Sequence, residues 1–222
     1  MSAQQMRVIG LTGLIGMVAL FVGFALDPNP PTAGTTGAAV LAQGASSGGL
    51  DRATAFLFGI TAAGLVAFVA GVRQWFETIS TAPRWWGTTL LAGGVVTGTT
   101  LVVGGALSFT LSSEPAPSSD IARFVNDAVN YTFVFAGFGV LVMVTSLTAL
   151  ALATGGPLKR LGQLGVLVSL LQIPYLATAF FSSGPFTAGG LVTIIGFVAA
   201  GILMLVTAVY ILVSSRKVLA AS

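Results

Sequence analysis

Six apolar stretches of about 20 residues or more determine what this chain can fold into. A helix of that length spans the hydrocarbon core of a bilayer, where a lipid-exposed backbone has to satisfy its hydrogen bonds internally. The sequence therefore predicts an all-α fold, a polytopic bundle of six transmembrane helices in one domain covering residues 1–222. The predicted spans are residues 8–26, 53–73, 85–111, 121–153, 158–181 and 187–213.

Residues 27–50 form the longest connection between the predicted spans. Pro28, Pro30 and Pro31 follow Asp27, and prolines so closely spaced cannot continue a helix. The rest of the connection is rich in Gly, Ala, Ser and Thr, which predicts a flexible extracytoplasmic loop. Because the first apolar run exceeds the roughly 7–15 residues of a signal-peptide core, we expect an uncleaved anchor.

The charged residues divide between the two sides of the predicted bundle. Seven of the nine basic residues fall on the side of the termini, and five of the six acidic residues fall opposite. Lys and Arg are retained on the cytoplasmic side, so we predict a multi-pass plasma-membrane protein with both termini in the cytoplasm. Tryptophans flank the same boundary, where they are enriched in membrane proteins. The residues concerned are Arg7, Arg73, Arg84, Lys159, Arg160, Arg216 and Lys217 (basic); Asp27, Asp51, Glu114, Asp120 and Asp127 (acidic); and Trp75, Trp85 and Trp86.

Two residue types that carry much of protein chemistry are missing, because the chain contains no cysteine and no histidine. Thiolate nucleophiles, disulfides and iron–sulfur clusters need cysteine, and histidine is the usual haem ligand, zinc ligand and general base. We therefore predict that the protein is not an enzyme and has no catalytic residues, metal or cofactor. Only 7% of the residues are charged, and the basic ones cluster in turns, which argues against nucleic acid as a partner.

One polar stripe interrupts the predicted fourth span. Arg123, Asp127 and Asn130 are spaced four and three residues apart and share a helix face, with Asn126 and Tyr131 beside them. The functional interpretation is an outward-facing polar pocket in which Arg123 binds an anionic head group. The structural interpretation, which we favour, is an Arg123–Asp127 ion pair at the wet helix end, worth about 0.3–0.5 kcal/mol.

Gln172, Pro174 and Tyr175 interrupt the predicted fifth span. A proline frees the carbonyl of Leu170 and kinks the helix, which exposes backbone to a ligand or to a neighbouring hydroxyl group. A plain kink is the structural interpretation. The alternative is that Gln172 and Tyr175 belong to a ligand-binding site.

Small residues are abundant within the spans. Gly94 and Gly98 form a GxxxG motif, which lets two helix backbones approach closely. The motif is compatible with packing inside the bundle and with a face for self-association. Residues 83–87 and 157–162 also form similar turns before the third and fifth spans. That similarity indicates three helical hairpins of the same orientation, unless it arose by chance.

The turn that enters the fifth span is Gly155-Gly156-Pro157-Leu158-Lys159-Arg160-Leu161-Gly162. Together with the Pro-rich connection after the first span and Ser183-Gly184-Pro185 before the sixth, it loosely resembles uncharacterised six-span actinobacterial membrane proteins of the DUF4386 type. Their corresponding turn reads G-x-L-P-R-W-L-G; here Lys159 precedes the arginine and Leu161 replaces the tryptophan. The resemblance covers nearly the whole chain and implies a six-span fold, without an activity.

These features predict an integral membrane protein that serves as an accessory or structural subunit, or that binds lipid or another hydrophobic molecule. Its expected partners are membrane lipids and, for the first role, another membrane subunit or a second copy of the chain. The alternative is a small transporter or channel with an outward-facing polar cavity. That cavity would be lined by Arg123, Asp127, Asn130 and Tyr175, without deep acidic residues for proton coupling.

Reporter fusions at Ser222 and near Gly44 test the predicted topology. Because the basic residues mark the cytoplasmic side, a cytoplasm-active reporter should work at Ser222 and a periplasm-active reporter near Gly44. Activity of the periplasmic reporter at Ser222 would contradict the orientation.

Overall fold

Helices dominate the structure, a computed structural model that describes residues 1–27, 29–47, 49–112, 117–181 and 184–220. The all-α prediction is confirmed: the described residues contain no strand, and six of their helices are long and apolar enough to cross a membrane. Pro28, Glu114, Ser183 and Ser222, which enter the sequence analysis, lie outside the described residues. The helices are α1 (Ala3–Leu26), α2 (Gly37–Ser47), α3 (Leu50–Ile79), α4 (Trp85–Leu111), α5 (Ser119–Thr154), α6 (Leu158–Ala177) and α7 (Leu191–Ala220), with 3₁₀ turns at Thr178–Phe180 and Gly184–Phe186.

Local sequence sets the helix ends. Ser2 begins α1 with a capping box, in which its hydroxyl accepts from the Gln5 N–H while the Gln5 side chain accepts from the Ser2 N–H. Ser118 begins α5 by accepting a hydrogen bond from the Ile121 N–H. Gly155 ends α5 with a backbone φ of +72°, a conformation that residues other than glycine rarely adopt.

The connection between the first two spans is not a flexible loop throughout, so that prediction is wrong for residues 37–47. They form α2, because Ala and Leu favour a helix and the Thr36 hydroxyl accepts from the Ala39 N–H at 3.4 Å. Val40 of α2 is buried. A side chain at Gly37 would overlap the Ser119 carbonyl, so only glycine lets α2 begin directly against α5.

Two further expectations are corrected. The sixth span begins at Leu191 rather than residue 187. Gly189 has a φ of +80°, which is incompatible with a right-handed helix, so the helix begins after it. Trp75 was expected at the lipid interface, but it is 5% exposed and its ring lies 6.0 Å from the ring of Tyr210. Trp75 is therefore a core residue between α3 and α7.

The six spanning helices form a closed ring. Each packs against the next along the chain, in the order α1, α3, α4, α5, α6 and α7, and α7 packs back against α1. With six crossings, α1 begins and α7 ends on the same side, which we call the terminal side. The opposite side, called the loop side, carries α2. There α2 lies on the beginning of α5, whose 36 residues extend about 54 Å and exceed the roughly 30 Å of a hydrocarbon core.

Glycines bring neighbouring helices into backbone contact. A Cβ at Gly93 of α4 would lie 2.6 Å from the Met143 nitrogen and 2.7 Å from the Gly139 oxygen of α5. A Cβ at Gly139 would lie 2.8 Å from the Thr97 nitrogen. The α4–α5 pair therefore has no room for larger side chains at these positions, as in other membrane helix pairs built on small residues.

The GxxxG motif faces inward. Gly94 and Gly98 are both buried, and side chains there would overlap Val69 and approach Val66 of α3. The structure thus places the motif in the α3–α4 interface rather than on the outer surface of the ring.

Gly93→Ala should destabilise the bundle, because its new methyl group meets backbone atoms of α5 that cannot rotate away. We expect a loss of about 1–3 kcal/mol, read as a lower melting temperature in detergent. Gly59→Ala is the matched control, since nothing lies within 4 Å of a Cβ at that glycine. Equal melting temperatures for the two variants would contradict the close helix approach.

Candidate functional site

A cavity of about 130 Å³ opens inside the ring at the loop side. Helices α1, α3, α4, α5 and α7 all contribute to its wall. Pro30 and Pro31 of the connection before α2, and Val40, Gln43 and Gly44 of α2, line its outer part. We call it the loop-side cavity, and α2 with the preceding connection forms its cover.

Four phenylalanine rings form the inner part of the cavity. They come from four different helices: Phe24 from α1, Phe58 from α3, Phe133 from α5 and Phe197 from α7. The rings contact one another in a closed cycle, edge to face, with centroids 5.3 to 6.3 Å apart. Such edge-to-face pairs are the favoured aromatic geometry. We call this group the phenyl square.

Two carboxylates lie among the lining residues near the opening. Asp27 ends α1, and Asp51 lies in the first turn of α3. The Ser47 hydroxyl donates a hydrogen bond to Asp51 Oδ2 at 2.6 Å, whereas the Asp27 carboxylate has no hydrogen-bond or ion-pair partner among the described residues. Burial raises the pKa of the Asp27 carboxyl above its ordinary value, and the nearby Asp51 charge raises that pKa further.

Side chains of α5 hold the cover in place. Asn126 donates to the Thr32 carbonyl at 3.0 Å, and Asn130 donates to the Pro31 carbonyl at 2.9 Å. Asp127 Oδ1 accepts from the Gly34 N–H at 2.7 Å. The three contacts tie three backbone positions between Pro31 and Gly34 to one helix face.

The connection is fixed from two other directions as well. The Ala33 N–H donates to the Ala188 carbonyl at 3.0 Å, which links the connection to the segment before α7. Gln43 of α2 donates to the Asn29 carbonyl at 2.8 Å, which folds α2 back onto the same connection. The cover is therefore an ordered part of the cavity wall.

The structure separates the residues of the predicted polar stripe. Asn130 lines the cavity, and Asp127 binds the connection, but Arg123 is exposed and its Nε lies 4.0 Å from Asp127 Oδ2. Tyr131 is 38% exposed and does not line the cavity. The stripe thus serves chiefly to anchor the cover, a role that neither interpretation of the sequence included.

Gln172 and Tyr175 are fully buried in α6 and do not line the cavity. Gln172 Nε2 donates to the Gly196 carbonyl of α7 at 3.1 Å, and the Tyr175 hydroxyl donates to the Phe133 carbonyl of α5. The Tyr175 ring packs edge to face with Phe197, at 5.6 Å between centroids. Both residues therefore fasten α6 to its neighbours, and Tyr175 supports the phenyl square from behind.

Sequence reasoning missed the phenyl square and the meeting of the two carboxylates at one cavity. Asp27 and Asp51 were interpreted only as acidic residues on the side opposite the termini, although they flank one connection and so mark adjacent ends of α1 and α3. That adjacency was a usable signal. The four phenylalanines carry no local signal, because single phenylalanines are ordinary residues in any apolar span.

Comparison of the chain with protein-family models, with curated proteins and with solved structures finds no match. The resemblance to six-span actinobacterial proteins therefore stays a prediction.

Asn130→Ala should loosen the cover, because it removes the hydrogen bond to the Pro31 carbonyl and leaves that carbonyl without this partner. We expect a cost of about 1–3 kcal/mol and faster amide hydrogen exchange across residues 29–47. Arg123→Ala is the control on the same helix and should cost under about 1 kcal/mol, since its ion pair is long and its side chain is 60% exposed. Equal exchange rates in the two variants would show that the stripe does not anchor the cover.

Proposed function

We propose that the protein binds a small hydrophobic molecule in the loop-side cavity. By the distribution of basic residues, this side faces away from the cytoplasm, so the molecule enters from the extracytoplasmic side of the plasma membrane. The role is binding without catalysis, in keeping with the lack of cysteine and histidine.

The observation that carries this proposal is a cavity, open at one end, with an aromatic inner wall. Its 130 Å³ is close to the roughly 150 Å³ of an engineered apolar protein cavity that binds benzene. The four rings of the phenyl square offer apolar surface, while Asp27 and Asn130 offer polar groups. An apolar pocket with a few polar groups is the usual form of a small-molecule site.

A transporter with an outward-facing cavity is the second candidate, because the cavity opens at one side of the ring. The phenyl square closes the inner end, and Tyr175 packs behind it with no exposed surface. Transport would require these rings to move apart, whereas binding requires no such movement. Flux of a bound compound into proteoliposomes would favour transport, and saturable binding without flux favours the binding role.

The outer surface of the ring is apolar, which supports membrane lipids as its surrounding partners. Many large hydrophobic side chains are exposed along the helices, among them Phe56, Phe135 and Leu167. An accessory role beside another membrane protein would use the same surface, and a stoichiometric partner after purification in mild detergent would support it.

A series of apolar compounds of increasing size tests the binding proposal. Compounds near the size of benzene should raise the melting temperature of the purified protein, because a ligand that binds only the folded state stabilises it by mass action. Larger compounds should fail in the wild type. Phe133→Ala should extend the size limit upward, since it removes one ring of the phenyl square.

Phe135→Ala provides the matched control. Phe135 lies on the same helix, is 58% exposed and does not line the cavity, so its removal should leave the size limit unchanged. The proposal is wrong if no compound of the series stabilises the wild type, or if the two variants accept the same range of sizes.

A further inference from the structure

We propose that the ligand of the loop-side cavity is a small protonated amine with an apolar body. This inference rests on the proposed binding function and adds the charge and the hydrogen-bonding chemistry of the ligand. Three features carry it: two carboxylates without a compensating base, an aromatic inner wall, and an acceptor oxygen without a donor on a buried asparagine.

The negative charge of the cavity is not neutralised by the described residues that line it. Asp27 and Asp51 are the charged residues among them. Arg52 follows Asp51 in the chain but does not line the cavity; its guanidinium donates to the Ser112 carbonyl and lies 5.8 Å from the Phe109 ring centroid. The guanidinium is thus engaged with the end of α4, and the two carboxylates face the opening without a cation.

The end of α1 strengthens the preference of the cavity for a cation. Asp27 lies at the C-terminal end of α1, where the helix dipole already places negative partial charge. A carboxylate at that position is unfavourable unless a cation accompanies it. A bound ammonium group would relieve both the dipole and the repulsion between Asp27 and Asp51, through charge-assisted hydrogen bonds.

The aromatic wall lies at the right depth for the apolar part of such a ligand. Asp27 follows Phe24 by three residues on α1, which places the two about 4.5 Å apart along the helix axis. An ammonium group at Asp27 therefore directs its substituent towards the phenyl square.

The side chain of Asn130 supplies an acceptor that favours an amine with N–H groups. Asn130 is 5% exposed and lines the cavity, and its amide nitrogen is used by the Pro31 and Asn126 carbonyls. Its Oδ1 accepts no hydrogen bond from the described residues. With Asp27 and Asp51, this oxygen completes a set of acceptors that an N–H donor satisfies and a carboxylate ligand does not.

The test compares three ligands of similar size that differ in charge, and adds a bulkier cation without N–H groups, benzyltrimethylammonium. Benzylammonium, benzyl alcohol, benzoate and benzyltrimethylammonium would be titrated calorimetrically into the full-length protein in a neutral detergent. We expect benzylammonium to bind at least tenfold more tightly than benzyl alcohol and benzyltrimethylammonium, and benzoate not to bind. Equal affinity for benzylammonium and benzyl alcohol would overturn the inference while leaving the proposed binding function intact. Absence of binding by all four compounds would overturn both.

Asp27→Asn isolates the charge. The variant should fold, because it keeps the side-chain shape and removes a half-buried charge beside Asp51. Benzylammonium affinity should fall at least tenfold while benzyl alcohol affinity stays within twofold. Asp120→Asn is the control, since Asp120 is an exposed acid on the same side that does not line the cavity. Unchanged benzylammonium affinity in Asp27→Asn would contradict the amine site.

An amine can reach the cavity as a free molecule or as the head group of a lipid. The two sources are distinguished by measuring benzylammonium binding in two kinds of nanodisc. One kind contains phosphatidylethanolamine, and the other contains phosphatidylglycerol. Weaker apparent benzylammonium affinity in the former identifies the lipid head group as a competing amine, and equal affinities identify a free amine; both results support the amine site. Failure of benzylammonium to bind in either nanodisc would overturn it.

Discussion

The attachment to α5 of the connection before α2 is the constraint on which the candidate site depends. Amide side chains of α5 donate to the backbone carbonyls of Pro31 and Thr32, while Asp127 accepts from the Gly34 N–H. Backbone groups of a non-helical segment near a membrane have to find such partners. Because the partners lie on one helix face, the connection is held over the centre of the ring and becomes a wall of the cavity.

The ring itself depends on close contact between helix backbones. In a bilayer the hydrophobic effect does not favour a second helix over a lipid tail as the neighbour of a helix. Helices therefore associate through close contacts that lipid tails cannot reproduce. The α4–α5 pair meets at Gly93 and Gly139, and the α1–α3 pair meets at Gly16 and Gly64. These contacts keep the ring narrow enough for four phenylalanine side chains to close its centre.

The fold was largely predictable and the site was not. Helix number and type follow from apolar length, which is a local property of the sequence, and the spans agree with the helices apart from their ends. The cavity needs residues from five spanning helices, and no local pattern joins Phe24 to Phe197. Asn126, Asp127 and Asn130 were recognised as unusual polar residues in a span, but their partners lie more than 90 positions away in the chain. Residues 37–47 were mistaken for a flexible loop because glycine and serine at their ends outweighed the helix-forming alanines between them.

Closure of the ring between α1 and α7 has a consequence for biosynthesis. A ribosome delivers α1 to the membrane before the other five spanning helices and α7 after them, yet the two helices pack together; the glycine face of α1 at Gly10 adjoins Leu212 near the end of α7. Until α7 is inserted, that face has lipid or the insertion machinery as its neighbour. Assembly of the cavity therefore waits for α7, because Phe197 completes the phenyl square only after that helix has entered the membrane.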